Sequence, residues 1–198
     1  MRKSKNRRQI ASKPFGYIII FLVAFGAGYQ VNEQMSFKGS SAIPIEAKEN
    51  IKVYFSPRGG CTEAIVRAID EAEQTIYVFA FSLTSKPIAD ALVRAYRRGV
   101  EVRILADRQQ SRGRGCKLDF LRRQGIAIWI DKVSGYAHNK VVLVDNRLVI
   151  TGSFNFSASA EYRNAENILV LISPMLASKY KKNWHDRIKN AYVYSNEG

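Results

Sequence analysis

Two short apolar runs restrict most sharply what this chain can fold into: Val141, Val142, Leu143 and Val144, then Leu148, Val149 and Ile150. Each is too short for a helix and carries no 3.6-residue period, and both are rich in β-branched side chains; with a turn between them they read as buried strands. They predict a β-hairpin turning at Asn146-Arg147. Consecutive apolar positions on a strand mean that both of its faces are covered, so the sheet containing this hairpin needs helices on each side.

The remainder of the chain supplies strands and helices in alternation. Strands are expected at 51–55, 75–81, 100–106, 126–130 and 168–172, and helices at 62–73, from Ser85 to a stop at Gly99, at 117–124 and at 175–191. Ala64, Ile65, Ala68, Ile69 and Ala72 make one apolar face of the first helix, and Ser85 before Pro87 is the expected cap of the second. The fold class that follows is α/β, a mixed central sheet flanked by helices on both faces. No internal repeat is visible.

The chemistry gathers at the hairpin's entry. His138 and Lys140 are two residues apart, and side chains two apart on a strand share a face, so imidazole and ammonium are expected to project together. Such a pair suits a phosphodiester, because the cation offsets the non-bridging oxygens while the imidazole attacks phosphorus or carries a proton. Ser153 and Asn155, just past the returning strand, offer a hydroxyl and an amide to the same oxygens. Glu166, further along the chain, is expected to accept from the imidazole's second nitrogen and hold its tautomer. Asp145 at the hairpin tip reads as structural.

His138, Lys140 and Asp145 spell H-x-K-x-x-x-x-D, and Gly152, Ser153, Asn155 and Ser157 spell G-S-x-N-x-S. The combination resembles the signature of the phospholipase D superfamily, and within it the small bacterial endonucleases that carry one motif per chain. The resemblance implies a phospholipase D-like fold and a covalent phosphohistidine mechanism. It makes His138 the nucleophile or acid/base, Lys140, Ser153 and Asn155 the phosphate ligands, and Glu166 the partner of His138, with Asp145 and Gly152 as structural members of the motif. With no second H-x-K in the chain, it also implies a homodimer in which two motifs face each other. No cofactor is expected. The two cysteines, Cys61 and Cys116, are far apart in sequence and the chain has only two histidines, so no zinc spacing exists, nor a carboxylate cluster of the two-metal kind. The chemistry is expected to be metal-independent.

Charge bears on the substrate. The formal net charge is +14, and removing the six Lys and Arg of the segment 1–28 from the total of 31, against 17 acids, still leaves +8. A basic domain favours a polyanion. Arg108, Arg112, Arg114 and Lys117 lie in one Gly-containing loop and are candidate nucleic-acid contacts. The expected activity is an endonuclease or phosphodiesterase acting on DNA, with RNA left open. The alternative is a phospholipase D-type hydrolase of a phospholipid; a binding module with a decayed site is opposed by the intact motif.

The N-terminus has a basic flank with Arg2, Lys3, Lys5, Arg7, Arg8 and Lys13, then an uncharged stretch from Pro14 to Asn32 that includes Gly26, Ala27 and Gly28. Residues 1–28 read as a Sec-type signal peptide or an inner-membrane anchor, the short apolar heart favouring cleavage. Residues 29–50 read as a linker and 51–198 as the domain, exported to the periplasm or beyond, or held at the membrane through the N-terminal segment alone. Three further features stay secondary. Cys61 and Cys116 are either a disulfide or two separate thiols. The S-P-R-G-G-C segment precedes a helix whose amides can bind an anion, without a fuller signature. His185 is expected to face solvent near Asp186.

Overall fold

The computed structural model describes residues 51–195. The leader and the linker lie outside the described residues. In chain order the elements are β1 (Ile51–Phe55), α1 (Cys61–Asp70), β2 (Thr75–Ala80), α2 (Lys86–Arg97), β3 (Glu101–Asp107), a 3-10 turn (Gln110–Arg112), α3 (Leu118–Arg123), β4 (Ala127–Asp131), β5 (Lys140–Val144), β6 (Leu148–Gly152), α4 (Ala158–Tyr162), β7 (Asn167–Ile172), α5 (Pro174–Ile188) and β8 (Ala191–Val193).

The eight strands form one mixed sheet in the order β1-β7-β6-β5-β2-β3-β4-β8. Only β2 with β3 and β3 with β4 run parallel, each pair linked by a helix, as a parallel crossover requires. Alternation along the strands divides the core in two. Ile76, Val78, Ile104 and Val142 pack against Ile65 and Ile69 of α1, Leu92 of α2 and Leu121 of α3. Tyr77, Phe79, Leu105, Val141 and Leu143 turn the other way, onto Ala177 and Trp184 of α5. The uninterrupted apolar run in β5 is therefore explained by cover on both faces.

Register decides which ends of the strands meet. Phe55 pairs with Asn167, Gly152 with Ile168, Val141 with Thr151, Ala80 with both Lys140 and Ala106, and Asp107 with Asp131. The C-terminal ends of β1, β2, β3, β4 and β6 thus lie at the same edge of the sheet as the N-terminal ends of β5 and β7. Gly152 makes one junction possible: a Cβ there would collide with the carbonyl oxygen of Asn167.

The structure corrects the local reading in three places. The hairpin turn is centred on Asp145 and Asn146, which have φ of 50° and 52°, with the Arg147 N–H donating to Val144 O. Asp and Asn tolerate this left-handed conformation better than Arg does, so the turn sits one residue earlier than Asn146-Arg147. β5 starts at Lys140, leaving His138 in the loop before it; the ladder to β2 ends where the Phe81 N–H donates to Asn139 O. The last helix ends at Ile188, and Ala191–Val193 leave it to pair with the otherwise open edge of β4.

Candidate active site

The gathered strand ends carry the motif. His138 is exposed, and its ring rests on Phe81 with centroids 4.3 Å apart at 60°. Lys140 is only 7% exposed; its Nζ donates to His138 O at 2.8 Å and lies 4.7 Å from the centre of the Phe81 ring. Phe81, the residue just past β2, therefore backs both groups of the H-x-K pair. Burial lowers the Lys140 pKa from its ordinary value, and the charge of Glu166 opposes that shift. The ammonium forms no ion pair among the described residues, so an incoming anion would meet a poorly solvated cation.

The second half of the motif lies alongside. Ser153 is exposed; its N–H donates to Asn167 O, and its Oγ accepts from the Asn167 N–H, both at 3.2 Å, leaving the hydroxyl proton free to donate. Asn155 is half-buried, with Oδ1 enclosed and lacking a donor. Glu166 is fixed through its backbone, its N–H donating to Ser56 Oγ at 3.1 Å and its carbonyl accepting from the Ser56 N–H at 2.9 Å. Its carboxylate accepts from Asn164 Nδ2 at 3.1 Å. No hydrogen bond joins Glu166 to His138, so the expected imidazole-carboxylate contact is not made in this structure. Its charge lies near enough to Lys140 to oppose the lowering of that pKa by burial.

Two carboxylates that the sequence reading passed over position this end of the sheet. Asp107, 1% exposed at the end of β3, accepts from the N–H groups of Gln109 and Gln110 through Oδ1, both at 2.9 Å, and from that of Ala137 through Oδ2 at 2.8 Å. One side chain thus holds both the start of the basic loop and the residue before His138. Its signal was an acid closing an apolar strand just ahead of a polar loop. Glu161, buried in α4, accepts from the N–H groups of Gly60 and Thr62 at 3.2 and 2.7 Å. The anion site at the start of α1 that S-P-R-G-G-C suggested is consequently filled by the protein's own carboxylate. Asp145 lies at the far end of the sheet and accepts from the N–H groups of Glu73, Gln74 and Thr75 at 3.0, 2.8 and 3.0 Å.

The basic loop belongs to the same end as the motif. The Lys117 N–H donates to Leu83 O, and Leu83 bridges to Phe156, between Asn155 and Ser157. Arg108, Arg112 and Arg114 are exposed and Lys117 is half-buried; Arg58 and Arg163, from neighbouring loops, are exposed as well. None of the six joins an ion pair among the described residues. Within the α-helices, by contrast, Arg67, Arg94, Arg122, Arg123 and Arg187 each pair with a carboxylate and Arg97 with the Gln124 amide. Among the described residues, apart from Arg147 at the hairpin tip, the unpaired arginines collect where the motif is.

His185 is elsewhere. It is exposed on α5, edge-on to Tyr77 at 5.8 Å and Trp184 at 5.4 Å, and Tyr77 belongs to the core layer that packs on α5. Its neighbour Asp186 is held by Lys182 and Lys189, which bring the carboxyl down to about 2. Cys61 and Cys116 are free thiols; burial, with Glu161 nearby, pushes Cys61 up to about 11.

Comparison with known proteins agrees with this geometry. Residues 65–188 match the family described as "Cardiolipin synthase, PLD-like domain". The chain is 45% identical over 141 residues to a phospholipase D of Rickettsia conorii, covering 71% of this chain and 70% of that protein. It is 33% identical over 116 residues to the mitochondrial cardiolipin hydrolase of Chlamydomonas reinhardtii, covering 59% of this chain and 52% of that one. Among solved structures it resembles Nuc from Salmonella typhimurium, a phospholipase D family member, with a TM-score of 0.70 and 36% identity over 74% of this chain and 98% of that chain. A mixed sheet with this arrangement, an H-x-K pair at its gathered ends and these relatives establish that the chain belongs to the phospholipase D superfamily and is a phosphodiester hydrolase of that family.

Proposed function

We propose that the substrate is a nucleic acid, DNA or RNA, and that the chain is an exported, metal-independent endonuclease working as a homodimer. The observation that carries this reading is the contrast between the tethered helical arginines and the five arginines, with Lys117, that stay unpaired at the end of the sheet where His138 and Lys140 lie. A polymer with a charge on every residue engages cations spread over a surface, whereas a single headgroup phosphate needs only those at the reacting centre.

In the first step a ring nitrogen of neutral His138 attacks phosphorus, forming a P–N bond while the P–O bond to the leaving strand breaks. The leaving oxygen takes its proton from a second imidazole, in its protonated form. Water then attacks the phosphohistidine, gives a proton to that second imidazole, and the P–N electron pair returns to His138. Lys140, Ser153 and Asn155 donate to the non-bridging oxygens, and Glu166 sets the field at Lys140. His185 packs on Tyr77 of the α5-side layer and does not serve this site. The second imidazole therefore comes from another copy, across a two-fold axis that places two His138 side chains on one phosphate.

A phospholipid reading has its own support in the names of the relatives, a phospholipase D and a cardiolipin hydrolase. Plasmid DNA, RNA and vesicles of phosphatidylglycerol or cardiolipin, incubated side by side with the enzyme in EDTA, separate the two. Nucleic-acid cleavage that persists in EDTA and is lost in His138→Ala supports the proposal. Vesicle hydrolysis with intact nucleic acid would reverse it. For the shared site, a purified mixed dimer of wild-type and His138→Ala chains should be almost inactive; half of the wild-type activity would mean a complete site in each chain.

A further inference from the structure

Tyr136 is an exposed aromatic with a fixed position beside the candidate nucleophile. It is 58% exposed, and its hydroxyl has no hydrogen-bond partner among the described residues. The ring is not loose, however, since it meets Phe81 in a T-shaped pair, with centroids 5.8 Å apart at 87°, and the Phe81 and His138 ring centroids lie 4.3 Å apart. The next residue, Ala137, is buried and tied through its N–H to the Asp107 carboxylate. Tyr136 and the imidazole thus share one supporting ring, which keeps both at the site while much of the tyrosine faces solvent. Phe55 and Tyr162, 62% and 61% exposed, stand at the same end of the sheet, at the close of β1 and of α4.

An aromatic ring that is held in place, more than half exposed and set at the end of the sheet that also carries the unpaired arginines fits a planar ring in a polyanion. In a duplex both faces of each base are already stacked on neighbours, and only edges and phosphates are offered. An unpaired base has a face to give, and stacking on a side-chain ring is the main sequence-independent attraction available to single strands. A lipid headgroup has no such ring.

We propose that Tyr136 is the base-stacking residue of the site, and that the strand crosses His138 unpaired, with a base next to the scissile phosphate lying on the Tyr136 ring. This rests on the nucleic-acid reading and adds to it the state of the strand and the residue that selects it.

The test compares wild-type, Tyr136→Ala and Tyr136→Phe enzymes on three substrates in EDTA: a single-stranded oligonucleotide, the same strand annealed to its complement, and a strand of abasic units with the same number of phosphates. Tyr136→Ala should raise KM on the single strand by about tenfold, the worth of one stacked base, with kcat little changed. Tyr136→Phe, which keeps the ring, should restore KM. On the abasic strand the gap between wild-type and Tyr136→Ala should close. Equal losses on the base-bearing and abasic strands, failure of Phe to rescue, or a duplex preferred by wild type would overturn the inference while leaving a nuclease in place. Should wild type cut no oligonucleotide, and Tyr136→Ala instead weaken binding to phosphatidylglycerol vesicles, the ring would be a membrane contact and the nucleic-acid reading would fall with it. Because the ring is mostly outside the core, an unchanged thermal midpoint checks that the variants are folded.

Discussion

Replacing Asp107 by Asn tests how the site is held, because the substitution is nearly isosteric and changes one hydrogen bond in kind. Oδ1 of Asp107 accepts from two amides of the basic loop and Oδ2 from the Ala137 N–H beside His138. An amide has one acceptor oxygen. With that oxygen kept on Gln109 and Gln110, the NH2 group faces the Ala137 N–H, donor against donor. Asp107 is almost fully buried, so that N–H loses its partner without gaining water. The expected cost is about 1–3 kcal/mol, which for a domain of this size lowers Tm by roughly 4–10 °C. If the segment before His138 lets go locally, part of that cost appears as disorder of the histidine rather than as global instability. Single-turnover cleavage should then slow by more than tenfold, while binding to a nucleic acid, carried by the intact basic loop, changes by less than threefold. Differential scanning calorimetry and rapid-quench kinetics on one preparation supply both readouts. Wild-type Tm together with a wild-type single-turnover rate would refute the argument that this carboxylate positions His138.

Two more expectations come from charges at opposite ends of the sheet. Arg112→Ala with Arg114→Ala should weaken nucleic-acid binding and reduce the slope of log K against log salt by up to about two units if both touch phosphate; an unchanged slope, read by fluorescence anisotropy from low to high salt, would return that loop to solvent. Burial alone would raise the Asp145 pKa, but the Thr75, Glu73 and Gln74 amides and the Arg147 charge outweigh it and hold the carboxyl below its ordinary value. A depressed folded value means that the stabilisation is present above the unfolded pKa of about 4 and is lost as pH falls through the folded one. Asp145→Asn should therefore lower the urea midpoint at pH 7, with the difference from wild type shrinking toward pH 3; a difference constant with pH would assign the effect to shape alone.

The hairpin and the pairing of His138 with Lys140 were legible because they are local. Period gives the strand pair, although the turn falls one residue earlier than read, and the H-x-K spacing keeps imidazole and ammonium close, although His138 stands in the loop before β5 and the two meet over Phe81 rather than on a strand face; the H-x-K and G-S-x-N-x-S spacing carries the family. The strands β2, β3, β4 and β7 and the helices α1, α2 and α3 came within a few residues of their observed bounds for the same reason. Helix α4 and strand β8 did not: α4 is a single short turn capped by Ser157, and β8 exists because the edge of β4 needs partners, a demand that Ala191, Tyr192 and Val193 do not announce.

What the chain kept to itself are contacts in which a carboxylate meets backbone amides far away in sequence. Asp107 reaches 30 residues to Ala137, Asp145 reaches 70 to Thr75, and Glu161 reaches 99 to Thr62. A backbone N–H has no residue identity, so no motif marks the receiving end of such a bond; only strand order and register bring donor and acceptor together. The same holds for the clustering of unpaired arginines, since pairing depends on which carboxylates the fold brings near. Residue types and spacing therefore determined the chemistry available to this protein, and tertiary structure alone decided which cations stay free and what holds His138 in place.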